Sequence, residues 1–278
     1  MILEGTPRDI IHRYEKIPTS VFEIESQGVE YVAQQIVEAI KAHEAQSPNS
    51  LFALGLTTGR TPIGMYHELV RRYEAGEVSF KNVVVYSLDE FYPIKWTAQQ
   101  SRSLRVKEDL LDKIDIKPEN IHLIDGTTPL DEVSAYCAAY DRMARNLDLM
   151  VIGMGEQGQI GFNEAGSYAK SVTRMVQLSH QSRKMQASNF YGSENTPRMA
   201  ITMGLSTVMS AKRIILMAWG EDKAEVIHKV VEGEPSRLIP ASLLQNHAAI
   251  EAVVDAPAAE MLTVKKAPWL VGPCDWTP

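Results

Sequence analysis

The sequence has few cysteines, no long apolar run and no surplus of positive charge. Its two cysteines, Cys137 and Cys274, lie far apart and have no metal-ligand spacing. A disulfide framework and a zinc site are therefore not expected, and the scarcity of cysteine fits a protein of the reducing cytoplasm. No apolar run approaches the ~18 residues of a membrane span, and the N-terminal residues lack the apolar core of a signal peptide. We expect neither a membrane span nor export.

The formal net charge of −7 argues against a partner made of nucleic acid or anionic lipid. Such partners require a surface with a local excess of Lys and Arg that neutralises phosphates. A small anionic ligand is still compatible with this charge, provided that cations and backbone N–H groups gather at its site. The length of 278 residues and the hydrophobic fraction of 45% fit a globular protein with one large core.

Short apolar runs alternate with segments of helical periodicity, and the runs begin near residues 51, 83, 149, 214 and 250. Runs of this length fit buried strands. The alternation predicts an α/β fold of the doubly wound, Rossmann-like type, with a mainly parallel sheet and helices on both faces. We expect a single domain over residues 26–255, an N-terminal arm over residues 1–25 and an extended C-terminal tail over residues 256–278.

The stretch over residues 148–166 begins with an apolar run and continues into a loop that contains Gly155, Gly158 and Gly161. Glycines at this spacing allow positive φ angles and a close approach of the backbone to a ligand. Glu164 is the carboxylate in the second half of the loop. Taken alone, the stretch is equally compatible with a plain turn between a strand and a helix.

A second loop of this kind follows the apolar run over residues 51–56 and reads Thr-Thr-Gly-Arg-Thr-Pro over residues 57–62. Thr61 is in the position of a helix N-cap and Pro62 in that of the first helical residue, which predicts a helix as far as Arg72. Free N–H groups and the positive end of the helix dipole favour a phosphate there. The lysine of a P-loop and the spacing of a dinucleotide fingerprint are missing. A well-capped helix without a ligand remains an alternative.

An acidic pair, Asp89 and Glu90, follows the apolar run over residues 82–88. Ligands of open parallel sheets bind beyond the carboxyl ends of the strands, where this pair falls. Adjacent residues of an extended chain point to opposite faces, so one carboxylate at most faces a site. We expect this to be Asp89, and an acidic helix N-cap is the alternative interpretation.

Lys223 lies in the first turn of a predicted helix, after the strand over residues 214–219. A cation at this end opposes the helix dipole and gains nothing locally, which suggests that it contacts an anion. A lysine that faces solvent is the alternative. The polar segment over residues 167–197 has weak periodicity and fits either a lid over a site or a solvated connection.

Together, the strand ends supply a phosphate-type loop, an acidic pair and a glycine loop, which favours a small anionic ligand. These motifs resemble the glucosamine-6-phosphate deaminases (isomerases), which are related to the 6-phosphogluconolactonases. The similarity extends from about residue 20 to residue 255. The C-terminal segment PWLVGPCDW is similar to a longer form of the family in which a deacetylase-like domain follows. The motifs are LGLTTGRTP at 54–62, VSFKNVVVYSLDEFYP at 78–93, IGMGEQGQIGFNEAGS at 152–167, ITMGLSTVM at 201–209 and GEDKA at 220–224.

The resemblance implies an isomerisation of an aldose to a ketose, coupled to the loss of ammonia from glucosamine 6-phosphate, without a metal or an organic cofactor. Asp89 matches the base that moves a proton between neighbouring carbons. A carboxylate can remove and return this proton when its pKa is suitable. Glu164 matches a carboxylate that supports opening of the sugar ring. Members of the family are commonly oligomeric, which implies a homo-oligomer.

The resemblance also implies which residues bind the phosphate group. Thr58, Gly59 and Thr61 match the phosphate loop of the family, and its lysine matches Lys223. The phosphate-binding arginine of the family falls on Ser188, which carries no charge. We expect a neighbouring cation to replace this arginine, either Arg60, which stands where the family has a glycine, or Arg183.

The glycine loop departs from the family at two further positions. The family has Asp-Gly-His there, in which the histidine acts as acid and base in ring opening and the aspartate orients it. In this chain the same positions are Gln157, Gly158 and Gln159. A glutamine cannot exchange a proton near neutral pH, although it can bond a sugar hydroxyl. Ring opening by this route is therefore not expected.

Three functions are consistent with these residues. The first is a deaminase or isomerase that acts on an amino-sugar phosphate through Asp89, with an altered ring-opening site. The second is a sugar-phosphate-binding or regulatory domain with weakened turnover. The third, a lactonase-like hydrolase, is the least favoured because that reaction also uses the missing histidine.

Overall fold

The computed structural model describes residues 14–270 of the chain. The remaining residues, which include Cys274 and the first part of the expected N-terminal arm, lie outside the described range. Strands within this range are β1 (Thr19–Phe22), β2 (Phe52–Leu56), β3 (Val83–Ser87), β4 (Asp89–Tyr92), β5 (Ile121–His122), β6 (Leu149–Gly153), β7 (Arg174–Gln177), β8 (Met199–Thr202), β9 (Ile214–Ala218) and β10 (Ile250–Asp255).

Seven of these strands form one parallel sheet in the order β1-β10-β9-β6-β2-β3-β5. Strand β2 lies near its centre, and Leu54 pairs with Val85 of β3 on one side and with Leu149 of β6 on the other. The five strands expected from the apolar runs are all present, and the mainly parallel sheet is confirmed.

Helices cover both faces of this sheet, as the doubly wound pattern predicts. Side chains of β6 alternate between the faces, since Leu149 and Val151 pack in one core cluster and Met150 and Ile152 in the other. Helices α1 to α3 pack on the first face, and α4 and α7 on the second. The helices are α1 (Glu25–Gln46), α2 (Ile63–Glu74), α3 (Arg102–Asp109), α4 (Val133–Met143), α5 (His180–Gln186), α6 (Leu205–Val208), α7 (Ala224–Val231) and α8 (Thr263–Lys266).

The expected N-terminal arm is in part a strand of the sheet. Residues Thr19–Phe22 form β1, which pairs in parallel with β10 at the edge of the sheet. The assignment of all of residues 1–25 to an arm was therefore wrong for this segment. A strand of four residues is too short for its alternation to stand out in the sequence.

A second, smaller sheet is antiparallel and has the order β4-β8-β7. It was not expected, because its strands have four residues each and β7 lies in the polar segment over residues 167–197. The same segment forms helix α5 and a 3₁₀ turn at Ala187–Phe190. The acidic pair Asp89 and Glu90 thus begins a strand of its own, instead of ending the parallel one.

The segment after β10 is folded and not extended, which corrects the expected tail over its described part. It forms turns, helix α8 and a 3₁₀ turn at Pro268–Leu270. Asp255 accepts a hydrogen bond from the Ala258 N–H at 3.0 Å, and the side chains of Ala259 and Leu262 are fully buried. Burial of these apolar groups holds the segment on the core.

Tyr140 of α4 joins this helix to the carboxyl end of β3. Its buried hydroxyl donates to the carbonyl oxygens of Ser87 at 2.8 Å and His122 at 3.0 Å. Tyr140→Phe leaves both acceptors without this donor, so we expect the free energy of unfolding to fall by about 1–3 kcal/mol. Urea denaturation measures this change. Tyr73→Phe is the control, because its hydroxyl has no hydrogen bond within residues 14–270, and equal effects of the two substitutions would contradict the prediction.

Candidate functional site

A cavity of about 490 Å³ opens at the carboxyl ends of β2 and β6. The chain runs from β2 to β3 and β5 on one side of the sheet and then returns to β6, β9 and β10 on the other. The order of strands therefore reverses between β2 and β6, and ligands of doubly wound sheets bind at this reversal. A volume of this size fits a small polar ligand.

The cavity brings together the residues that the sequence assigned to a phosphate site. Thr58, Gly59, Arg60 and Thr61 reach it from the end of β2, and Lys223 reaches it from the end of β9. Arg60 and Lys223 each bring a positive charge to the wall. In the sequence, Lys223 is separated from the other four residues by more than half of the chain, and the parallel sheet places all five at one edge.

The loop after β2 leaves backbone donors unused. The Thr57 N–H donates to Val151 O at 3.0 Å, whereas none of the N–H groups of Thr58, Gly59, Arg60 and Thr61 has an acceptor within residues 14–270. Gly59 has φ +101°, a conformation that other residues rarely adopt. Four consecutive free N–H groups beside the start of α2 form the kind of concavity that binds an anion.

Thr61 does not cap α2, which corrects one expectation. The helix begins at Ile63, and Pro62 is its N-cap residue without a side-chain cap. The carbonyl oxygen of Thr61 accepts from Trp219 Nε1 at 3.2 Å, and a Cβ added at Gly153 would lie 3.1 Å from the Thr61 side chain. Thr61 is therefore held by β6 and by the residue after β9.

Asp89 lies behind the cavity wall. Its side chain is fully buried, and it does not line the cavity. Thr58 Oγ1 donates to Asp89 Oδ1, and Arg102 Nη1 donates to Oδ1 at 3.1 Å and to Oδ2 at 3.0 Å. A Cβ added at Gly161, which does line the cavity, would lie 3.0 Å from Oδ2. The Asp89 carboxylate thus lies directly behind Gly161 and Thr58, which separate it from the cavity.

Arg102 is the largest omission of the sequence interpretation. It is the first residue of α3, lines the cavity, and carries the charge that compensates Asp89. Its guanidinium carbon lies 5.0 Å from the centroid of Phe91 and 4.3 Å from that of Phe162. No motif marks an arginine at this place, because its partner Asp89 and the two rings come from other parts of the chain.

Glu90 explains why Arg102 is where it is. Its buried carboxylate accepts from Ser101 Oγ at 2.7 Å, from the Arg102 N–H at 3.1 Å and from the Ser103 N–H at 2.9 Å. Glu90 thus satisfies the first N–H groups of α3. The alternative interpretation of the acidic pair, a helix N-cap, is therefore correct for Glu90. Asp89 instead contacts Thr58 in the loop after β2.

The glycine loop folds upon itself. The Gln159 side chain lines the cavity, and its Oε1 accepts from the Gln157 N–H at 3.0 Å, so that the carboxamide covers Gly155. Gln157 is exposed and does not line the cavity. No histidine of residues 14–270 lines it either. Gln157 and Gln159 therefore contribute one amide group to the wall, that of Gln159.

Three other expected residues are not part of the cavity wall. Glu164 accepts from the N–H of Ser179 at 3.1 Å, just before α5. Ser188 is exposed in the 3₁₀ turn after α5. Arg183 donates to Ser193 O at 2.6 Å. Of the two cations expected to replace the phosphate-binding arginine of the family, Arg60 borders the cavity and Arg183 does not.

Part of the polar segment over residues 167–197 covers the cavity, as a lid would. Ser182, Met185, Gln186 and Asn189 contribute to its wall. The Asn189 side chain accepts from Arg60 at 3.4 Å across the opening. The segment is thus in contact with the loop after β2.

The titratable acids of the wall are Glu25, Glu156 and Asp222. Burial, and then the charge of Asp255, raises the pKa of Glu25 above its ordinary value. Lys223 Nζ lies 3.7 Å from Asp222 Oδ2. Within residues 14–270, no group of three His, Cys, Asp or Glu side chains has the geometry of a metal site. Nor does this range contain a helix that is long and apolar enough to span a membrane.

Comparisons with known proteins agree on one family. A family model described as glucosamine-6-phosphate isomerases/6-phosphogluconolactonase matches residues 23–254. The chain is 35% identical over 237 residues to a glucosamine-6-phosphate deaminase of Clostridioides difficile, which covers 84% of the chain and 94% of the relative. It is 40% identical over 273 residues to a putative glucosamine-6-phosphate deaminase-like protein of Bacteroides thetaiotaomicron. That match covers 97% of the chain but only 41% of the relative.

Solved structures extend this similarity. A monomeric glucosamine-6-phosphate deaminase superposes with a TM-score of 0.82 at 31% identity, over 88% of the chain and 100% of that structure. The 6-phosphogluconolactonase of Trypanosoma brucei superposes with a TM-score of 0.68 at 18% identity, over 88% of the chain and 98% of that structure. The second match shows a shared fold only.

Glu90→Gln tests the cap on α3. The substitution puts an NH₂ group where the carboxylate accepts from N–H and O–H donors, so we expect the free energy of unfolding to fall by about 1–3 kcal/mol. Urea denaturation measures the change. Glu108→Gln is the matched control, because this residue of the same helix is exposed and makes no hydrogen bond with its side chain within residues 14–270. If both variants unfolded like the unsubstituted protein, the capping role would be wrong.

Proposed function

The chain belongs to the family of glucosamine-6-phosphate isomerases and 6-phosphogluconolactonases, and we propose that it acts on a phosphorylated amino sugar. The proposed reaction converts glucosamine 6-phosphate and water to fructose 6-phosphate and ammonia. The activity of the longer Bacteroides relative is not transferred here, since the chain spans 41% of its length.

The free N–H groups over Thr58 to Thr61 are the observation that carries the proposal. Together with Lys223 they offer hydrogen bonds and positive charge to a phosphoryl group. A sugar phosphate held in this way extends its carbon chain towards Gly161, beneath which Asp89 lies.

In the proposed reaction, Asp89 moves a proton from C2 to C1 of the open-chain sugar, and water then hydrolyses the imine. General acid–base assistance of this kind contributes typically 10²–10⁴-fold. Asp89 must first reach the cavity, because its side chain is fully buried and does not line the cavity wall. Gln159 can orient a hydroxyl group but cannot transfer a proton. The family role of Glu164 in ring opening requires its release from the Ser179 N–H.

The complete burial of Asp89 favours a second function, a sugar-phosphate-binding or regulatory domain with weak turnover. In this function the phosphate loop keeps its ligand, while the ion pair between Asp89 and Arg102 only supports the cavity wall. A lactonase-like hydrolase stays the least favoured, since the wall offers no histidine within residues 14–270. Association of several copies of the chain remains a prediction, because the solved deaminase named above is a monomer.

Incubation with glucosamine 6-phosphate distinguishes the two functions. The proposed activity releases ammonia and fructose 6-phosphate in equal amounts, and Asp89→Asn lowers the rate by at least about 100-fold because the amide is not a base. Circular dichroism of the variant checks its fold. Calorimetric binding without product over a long incubation would support the binding domain and contradict the enzyme. Unchanged turnover by Asp89→Asn would remove the residue from the base role.

Lys223→Ala tests the phosphate grip independently of turnover. Its side chain is only 14% exposed and has one carboxylate, Asp222, at 3.7 Å. Loss of a charge-assisted bond should weaken the binding of glucosamine 6-phosphate roughly tenfold or more. Isothermal titration calorimetry measures this affinity. Lys229→Ala on α7 is the control, since Lys229 pairs with Glu225 at the exposed surface, and equal affinity of both variants would contradict the assignment of Lys223.

A further inference from the structure

Arg102 has N–H donors that no acceptor within residues 14–270 uses. Its Nη1 donates to Thr58 Oγ1 at 2.8 Å and to both oxygens of Asp89. Its Nε and Nη2 have no acceptor within residues 14–270, although the residue lines the cavity and keeps 14% of its side-chain surface exposed. A guanidinium carries five N–H donors in a planar fork. Nη1 is therefore occupied by Asp89 and Thr58, while Nε and Nη2 are available to a ligand.

We infer that Arg102 binds the phosphoryl group of the ligand and, at the same time, fixes Asp89. Arg102 thereby replaces the phosphate-binding arginine of the family, whose position falls on Ser188 in this chain. This role deepens the proposed function, since it assigns a specificity-determining residue to the same phosphate site. It requires no movement of Arg102, because different nitrogens serve the two partners.

The position of Arg102 fits a phosphoryl group bound at the loop after β2. An oxygen that accepts from the Thr58 N–H lies about 3 Å from that nitrogen. The hydroxyl of the same residue is bonded to Arg102. The guanidinium is therefore adjacent to the four free N–H groups, and its planar fork suits bidentate recognition of phosphate.

Two aromatic rings keep the guanidinium in place. Phe91 and Phe162 lie 5.1 Å apart, and the guanidinium carbon is within 5.0 Å of both centroids. Such contacts stabilise a cation over the ring faces. The Glu90 cap fixes the backbone of the same residue. An arginine held at its backbone, its Nη1 and its flat face loses little further entropy when it binds an anion.

Arg60, another cation of the cavity wall, is less well prepared to bind an anion. Arg60 is exposed, and its contact with Asn189 is 3.4 Å long. An exposed arginine has to lose rotamer freedom before it can hold an anion. Arg102 is therefore better suited than Arg60 to replace the phosphate-binding arginine of the family.

Calorimetric titration of the full chain with inorganic phosphate, glucosamine 6-phosphate and glucosamine tests the inference. Arg102→Gln should weaken the binding of both phosphate compounds roughly 10- to 100-fold and leave glucosamine within about twofold. Arg102→Lys keeps a charge opposite Asp89, so the fold is preserved, but it lacks the planar fork and should still lose about tenfold or more. Lys107→Gln is the charge-matched control, because it lies on the same helix outside the cavity and pairs with Asp112.

The melting temperature of each variant is measured alongside. Unchanged phosphate affinity in folded Arg102→Lys would overturn the inference. So would an equal loss for phosphate and glucosamine, since that pattern is expected when Arg102 only supports the wall. If the unsubstituted protein binds phosphate through Arg102 but releases no ammonia from glucosamine 6-phosphate, the inference stands and the proposed enzymatic function fails.

Discussion

The ion pair between Asp89 and Arg102 is the interaction on which the site depends. Asp89 has no exposed surface, and an uncompensated carboxylate at such a depth would be strongly unfavourable. Its partners come from two other elements, Thr58 from the loop after β2 and Arg102 from the start of α3. The Asp89 carboxylate therefore connects the loop after β2, the small antiparallel sheet and helix α3.

This arrangement couples the two ends of the proposed ligand. The Thr58 hydroxyl is occupied by Asp89 and Arg102, so the residue has only its N–H group to offer to a phosphoryl oxygen. A phosphoryl group bound to the Thr58 N–H would contact the residue whose hydroxyl donates directly to the Asp89 carboxylate. The same geometry restrains Asp89, because its carboxylate is fully buried beneath Gly161 and does not line the cavity, so it has to reach the cavity before it can accept a proton from carbon. The groups proposed for phosphate binding thus line the cavity, whereas the carboxylate proposed for turnover does not.

The sequence predicted the parallel sheet and the helices on both faces, because short apolar runs and helical periodicity follow local rules. The role of the Thr-Gly loop after β2 as an anion site stays a prediction. The sequence missed β1, β4, β7 and β8, whose four residues each are too few for a clear period. It placed Glu164 and Ser188 by resemblance, which carries no information about their contacts. It missed Arg102 because the reason for this residue lies in Asp89, Phe91 and Phe162, which come together only in the folded chain.

A crystal structure with glucosamine 6-phosphate bound to the Asp89→Asn variant tests the central claim most directly. The account predicts phosphoryl oxygens within about 3 Å of N–H groups between Thr58 and Thr61, with the sugar carbons next to Gly161. A phosphoryl group bound elsewhere on the protein, or a sugar chain that points away from residue 89, would contradict it.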